Sequence, residues 1–206
     1  MKVTKIVQQE KRRERYSIFV DHKYAFSLSE VALLDSQLAA GRELTKEELQ
    51  DWKQHSADHR LYGNTLRYAL RRPHSRWEME TYLRRKKASP ALSTDILNKL
   101  SDMGLLGDLA FARSWMSSRQ LLRPTSRRKL QQELRAKRVS EDVIEEAMTE
   151  HDAAQDLAAL RALVQKKRQS PACRQNELKL MNYLARQGFG YGDIKRVVQE
   201  EREAND

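Results

Sequence analysis

Apolar residues along this chain follow two rhythms. Near the N-terminus Tyr16, Ile18 and Val20 alternate with Ser17, Phe19 and Asp21, the period of a strand with one face in a core. Asp21-His22-Lys23 supplies a tight connection to Tyr24 and Phe26, and Val3 to Gln9 offers another strand across a charged loop, Glu10 to Arg15. Residues 2–27 therefore read as a hairpin or three-stranded meander, marginal alone in water and expected to pack on the helix that follows. Ser29 is a fitting N-cap for that helix, which carries Val31, Leu33, Leu34 and Leu38 and stops at Gly41. Thr45 to Glu48 then matches a capping box opening a helix with Leu49 and Trp52.

From Leu61 onward the rhythm becomes helical and recurs at long range. Leu83, Leu134 and Leu184 are spaced by 51 and 50 residues, and Met79, Leu130 and Leu180 stand four positions before them. A later helix with paired apolar residues follows each block: Ile96, Leu97 and Leu100, then Val143, Ile144 and Ala147, then Ile194, Val197 and Val198. A first helix precedes each, with Leu66, Ala69 and Leu70, then Phe111, Ala112, Trp115 and Met116, then Leu157, Leu160, Leu163 and Val164. Three units of three short helices follow, each burying one small core and packing chiefly on its neighbours.

Local signals agree with that period. Ser75 with Glu78 forms a second capping-box pattern, Ser126 lies 51 residues on, and Pro73 and Pro124 precede these caps. In the third unit Ser170-Pro171 reads as cap and first-turn proline, which predicts a longer middle helix. The expected fold is mainly α: tandem three-helix repeats in an elongated curved array behind a small N-terminal β-hairpin or meander. Residues 1–28 form the β region, 29–60 a helical connector, and 61–108, 109–153 and 154–206 the three repeats.

Charge adds a direction to this picture. The 206 residues hold 39 Lys and Arg against 29 Asp and Glu, a formal net charge of +10, so the partner is expected to be phosphate or an acidic protein surface. Between Phe111 and Arg138 nine Lys or Arg stand against one acid, Glu133. The candidate contact residues of the first repeat are Arg71, Arg72, Arg76, Arg84, Arg85 and Lys86. Those of the second are Arg113, Arg119, Arg123, Arg127, Arg128, Lys129, Arg135 and Lys137. Arginine dominates, and its guanidinium pairs two-pronged with carboxylate or phosphate. Glu141 to Asp156 then holds seven acids and no Lys or Arg, so charge is banded along the chain.

Catalytic patterns are weak. His55 and His59 share a helical face without a further metal-ligand residue nearby, so a solvated face is the better reading. Cys173 is the one cysteine, which precludes an internal disulfide and fits a reducing cytoplasm. Gly188-Phe189-Gly190-Tyr191-Gly192 follows a helix and lacks Lys-Ser/Thr, so it reads as a helix end and not a phosphate loop. Trp77 and Trp115 sit at helical spacing with Met79, Phe111 and Ala112 and read as core in preference to base-stacking platforms. No enzyme, metal site or cofactor is expected. The N-terminus has no apolar signal-peptide region, and no run reaches the roughly 20 apolar residues of a membrane span.

The stretch Gly104-Leu105-Leu106-Gly107-Asp108-Leu109-Ala110-Phe111-Ala112, with Arg119 and then Gln132-Glu133-Leu134-Arg135-Ala136-Lys137, resembles the RecX family, regulators of the recombinase RecA. The Ser75-x-x-Glu78 helix start and Tyr183-Leu184-Ala185-Arg186-Gln187-Gly188-Phe189 also fit, and the N-terminal hairpin resembles an extension of some members. Nearly the whole chain is covered. Lys87 and Arg138 stand where the family usually has glycine, and Gly107-Asp108 where it usually has two aspartates. The family also often has glycine near Pro124. Such non-glycine helix ends are expected to terminate differently and add positive charge.

The resemblance implies a cytoplasmic monomer that binds in the groove of a RecA–DNA filament and restrains ATPase, strand exchange and co-protease activity, in DNA repair, recombination and SOS control. Single- or double-stranded DNA is expected to bind weakly and without sequence selectivity. The alternative is an independent DNA-binding protein with helix-turn-helix-like units.

Overall fold

A computed structural model of the chain describes residues 1–149, 153–170, 173 and 176–203. They divide into two compact units: Met1–Tyr68 with Ala88–Leu92, and Ala69–Lys87 with the described residues from Ser93 onward.

The first unit contains three antiparallel strands in the order β1 (Val3–Gln9), β2 (Arg12–Val20), β3 (Lys23–Ser29). Val20 pairs with Lys23, and the two residues between them, Asp21 and His22, both have positive φ (46° and 67°), the mirror-image turn whose twist suits a two-residue hairpin. The Asp21 carboxylate accepts from the Lys2 backbone N–H at 2.9 Å, which ties the turn to β1. Val3, Ile18, Val20, Phe26 and Leu28 form the core with Leu38, Leu44 and Leu49.

Sequence and structure differ at two points here. The charged loop shrinks to Glu10 and Lys11, because β2 begins at Arg12. Arg15 lies inside it, 8% exposed. Its guanidinium donates to the Ser27 carbonyl (3.1 Å) and hydroxyl (2.8 Å), which offsets the cost of burying the charge. Helix α1 (Glu30–Ser36), capped by the Ser29 hydroxyl, ends before Gly41 because Gln37 turns left-handed at φ 52°.

Helix α2 (Lys46–Ala69) opens with the expected capping box: Thr45 N–H donates to Glu48 at 2.8 Å, and Glu48 N–H to the Thr45 hydroxyl at 3.1 Å. The helix runs unbroken through Leu61. Trp52 stacks on Phe26 with ring centroids 6.2 Å apart. One to two turns on, Ser56 and His59 reach the sheet. The Ser56 hydroxyl donates to the Ser27 carbonyl at 2.7 Å, and His59 Nδ1 lies 3.3 Å from the Arg15 guanidinium. Burial and the Arg15 charge hold His59 below the ordinary histidine range, so the neutral ring accepts from Arg15.

The repeats follow in order. Their middle helices are α3 (Arg76–Arg85), α6 (Arg127–Ala136) and α9 (Glu177–Arg186), each 10 residues long. The closing helices are α4 (Pro90–Asp102), α7 (Glu141–Met148) and α10 (Tyr191–Glu203). The second and third repeats open with α5 (Asp108–Leu122) and α8 (Ala153–Arg168). Leu130 and Leu134 meet Phe111, Ala112, Met116, Ile144 and Ala147 in one core. Leu180 and Leu184 meet Leu160, Leu163, Val164, Ile194, Val197 and Val198 in another.

The third middle helix is not longer than the others. Its cap is Asn176, whose side chain accepts from Lys179 N–H at 2.9 Å. Ser75, Ser126 and Asn176 thus keep the 51- and 50-residue spacing. Of the expected Ser170-Pro171 cap, Pro171 lies outside the described residues. The helix ends also depart from expectation. Lys87 and Arg138 take left-handed φ values, 58° and 59°, as Gly188 does at 92°. The backbone follows the repeat geometry despite a cost of about 1 kcal/mol per non-glycine residue.

Candidate partner-binding surface

The middle helices are joined head to tail. At the first joint the Ser75 hydroxyl accepts from Glu78 N–H and donates to the Lys137 carbonyl at the end of α6, both at 3.2 Å. At the second, Thr125 Oγ1 and Ser126 N–H both donate to the Gln187 carbonyl at the end of α9, each at 3.2 Å. A helix N-terminus therefore meets a helix C-terminus at each joint, the favourable dipole arrangement. An aspartate from the next repeat's first helix completes each. Asp108 accepts from Arg76 N–H and Asp156 from Arg127 N–H, both at 2.8 Å.

Several candidate cations serve these joints. Lys137 Nζ donates to Glu78 at 2.7 Å, and Arg72 and His74 reach the same carboxylate at 3.0 and 3.1 Å. Glu78 is 9% exposed in its side chain. Burial alone would raise its pKa, but hydrogen bonds from Lys137 and Arg72 outweigh burial and hold it below the ordinary value. Lys129 Nζ donates to the Arg186 carbonyl (3.1 Å) and Gln187 Oε1 (2.9 Å), and Arg127 to the Met148 carbonyl (3.0 Å).

Others are held within a repeat. Arg119 donates to Glu133 at 2.7 Å, and the same carboxylate accepts the Trp115 indole N–H at 2.8 Å. Arg119 and Lys137 also lie over the Trp115 ring, 4.7 and 5.1 Å from its centroid, while Phe111 packs at 5.7 Å. Trp115 is thus occupied as a packing residue. Arg76 pairs with Glu80, and Arg135 takes Glu141 with two nitrogens. Lys86 sits over Tyr82 at 5.7 Å, and Arg113 is exposed on α5.

Arg71, Arg84, Arg85, Arg123 and Arg128 are also exposed. Among the described residues none of these five pairs with a carboxylate. They flank the joints in chain order but do not build them.

Other candidates take structural places. Cys173 packs against the core of the third repeat. Gly188 closes α9 beside the second repeat, where a Cβ would collide with the Ser126 hydroxyl and come within 3.0 Å of the Lys129 Cβ. Among the described residues no three His, Cys, Asp or Glu stand together as metal ligands would. No helix among them is long and apolar enough to cross a membrane. Glu78, Gln187, Asp108 and Asp156 did not stand out in the sequence as joint residues, since each partner lies far along the chain.

Three family models match the chain: the regulatory protein RecX N-terminal domain at 1–45, the RecX second three-helix domain at 108–148, and the third at 154–198. A regulatory protein RecX of Listeria monocytogenes serotype 4b is 30% identical over 192 residues, 92% of this chain and 71% of that protein. The chain belongs to the RecX family. A RecX of Listeria innocua serovar 6a is 29% identical over 203 residues, 97% of this chain and 76% of its own length. A crystal structure of a regulatory protein RecX superposes with a TM-score of 0.66 at 24% identity, covering 95% of this chain and 98% of that one. A small N-terminal sheet followed in sequence by tandem three-helix repeats is thus a RecX fold, and the family is one of regulatory proteins.

Proposed function

We propose that this protein regulates the RecA recombinase by binding along the groove of the RecA–DNA filament, restraining its ATPase, strand-exchange and co-protease activities. Its setting is then the cytoplasm, in DNA repair, recombination and SOS control, and it acts as a monomer without catalysis of its own. Membership of the RecX family carries the reading. The physical support is a set of exposed, uncommitted arginines on successive repeats. Modest contacts in series give strength without a deep pocket, and they suit a partner that itself repeats. DNA contact is weak and unselective in this reading.

The joints disfavour the first two middle helices as free-standing helix-turn-helix readers. Such readers present the N-terminal residues of the recognition helix to base edges. Here Asp108 and Lys137 cover the start of α3, and Asp156 and Gln187 the start of α6.

The test is RecA ATPase on single-stranded DNA with sub-stoichiometric amounts of this protein. Inhibition well below one molecule per recombinase is expected; no inhibition at any ratio contradicts the proposal.

A further inference from the structure

Two grooves open side by side on the second unit. The larger, about 440 Å³, lies between the second and third repeats. Its lining carries five cations, Arg119, Arg123, Lys129, Lys166 and Lys167, and one carboxylate, Glu133. Glu133 is already bound by Arg119 and Trp115, and Lys129 by the end of α9. Arg123, Lys166 and Lys167 meet no acid among the described residues. The second groove, about 380 Å³, has Arg72, Arg119 and Arg123 in its lining and no carboxylate.

The grooves are the same feature one repeat apart. Arg72-Pro73 lines one and Arg123-Pro124 the other, while Ser118-Arg119 in the first answers to Lys166-Lys167 in the second. They share a wall, Arg119, Leu122 and Arg123, so a chain leaving one enters the next. A ligand with like charges at regular intervals fits this better than a compact anion does.

The donor inventory chooses between polymers. These linings offer cationic donors and few uncommitted acceptors. An extended acidic peptide brings one backbone N–H per residue, and each needs an acceptor. A phosphodiester chain brings only acceptors along its backbone. Leu122 in the shared wall and its neighbour Leu121 are 72% and 83% exposed, apolar surface on which base faces can lie without sequence preference. A duplex, with its bases paired inward, offers no free base faces to these leucines.

We propose that the groove between the second and third repeats binds the backbone of single-stranded nucleic acid, with Arg123, Lys166 and Lys167 as the phosphate contacts. This deepens the filament reading by naming where an enclosed strand lies, while its test contains no recombinase. The measurement is fluorescence anisotropy of a labelled oligothymidylate titrated with the full chain at several salt concentrations. The triple variant Arg123→Gln/Lys166→Gln/Lys167→Gln is compared with Lys46→Gln/Lys53→Gln/Lys195→Gln, which removes equal charge elsewhere, and circular dichroism checks both folds.

The groove variant is expected to lose at least tenfold in affinity and to flatten the salt slope by about 2, at roughly 0.7 per phosphate on single strands. The control should keep both within twofold. Equal loss in the two variants, or none in the groove variant, overturns the assignment. So does competition by polyglutamate that matches the unlabelled oligonucleotide charge for charge, which would make the groove a seat for acidic protein. A groove variant that loses the oligonucleotide yet still restrains RecA supports the assignment, and it separates this inference from the filament reading.

Discussion

At the first joint Ser75 and Arg76 meet Lys137 and Asp108, while at the second Ser126 and Arg127 meet Gln187 and Asp156. The geometry is shared, but what closes it is not. The first is locked by charge: one buried carboxylate, Glu78, holds Lys137, Arg72 and His74. The second is locked by close approach. Gly188 lets α9 end against Ser126 and Lys129, and the lysine caps that end through a carbonyl and an amide oxygen. Arg138 occupies the place of Gly188 at the first joint and carries the left-handed strain a glycine would not. One backbone plan thus tolerates either chemistry, and basic residues are drawn into structural service at both.

The largest expected effect lies at the second joint. Gly188→Ala adds left-handed strain and the two contacts, together about 2–4 kcal/mol. Thermal denaturation should show it largely independent of salt and pH. An unchanged midpoint would break the distinction.

Glu78→Gln should cost about 2 kcal/mol through lost charge-assisted hydrogen bonds, with the penalty shrinking in high salt as screening grows. Its pH signature follows from the lowered folded pKa. The unfolded carboxyl binds its proton more tightly, so the stabilisation is complete above the unfolded value. It is lost as pH falls through the folded one. Urea titrations below neutral pH should show a steeper slope in the natural protein than in the variant, which keeps only the contribution of other carboxylates such as Glu141. The smallest effect has the opposite sign: Arg138→Gly relieves strain and should stabilise by about 0.5–1 kcal/mol after the extra freedom of the unfolded chain is counted. A destabilised variant would mean that Arg138 contributes a contact outweighing its backbone.

The repeats were legible in the sequence because their cores are local. Leu130 with Ile144, or Leu180 with Ile194, lie within one unit and recur at a fixed step. The caps at Ser75 and Ser126 were legible for the same reason, whereas Asn176 was overshadowed by the stronger local signal of Ser170-Pro171. The joints were not legible. Glu78 and Lys137 are 59 positions apart, and Lys129 and Gln187 58, and no local pattern marks such pairs. The candidate surface was accordingly read too broadly. Arg127, Lys129 and Lys137 looked like open charge, and only their partners show the two lysines to be cross-repeat fasteners and the Arg127 guanidinium to be held by the Met148 carbonyl of its own repeat. Arg15 was concealed in a charged run because a buried arginine is recognised by its acceptors, Ser27 and His59, not by its neighbours in sequence.

The central claim is that Arg84, Arg85 and Arg128, outside the joints, serve contact with the recombinase while the cations in the joints hold the protein together. It is tested most directly by potency against RecA ATPase on single-stranded DNA, with the melting temperature of each variant measured alongside. Arg84→Glu/Arg85→Glu/Arg128→Glu should melt as the natural protein does and lose at least tenfold in inhibitory potency. Full potency in that folded variant would contradict the account.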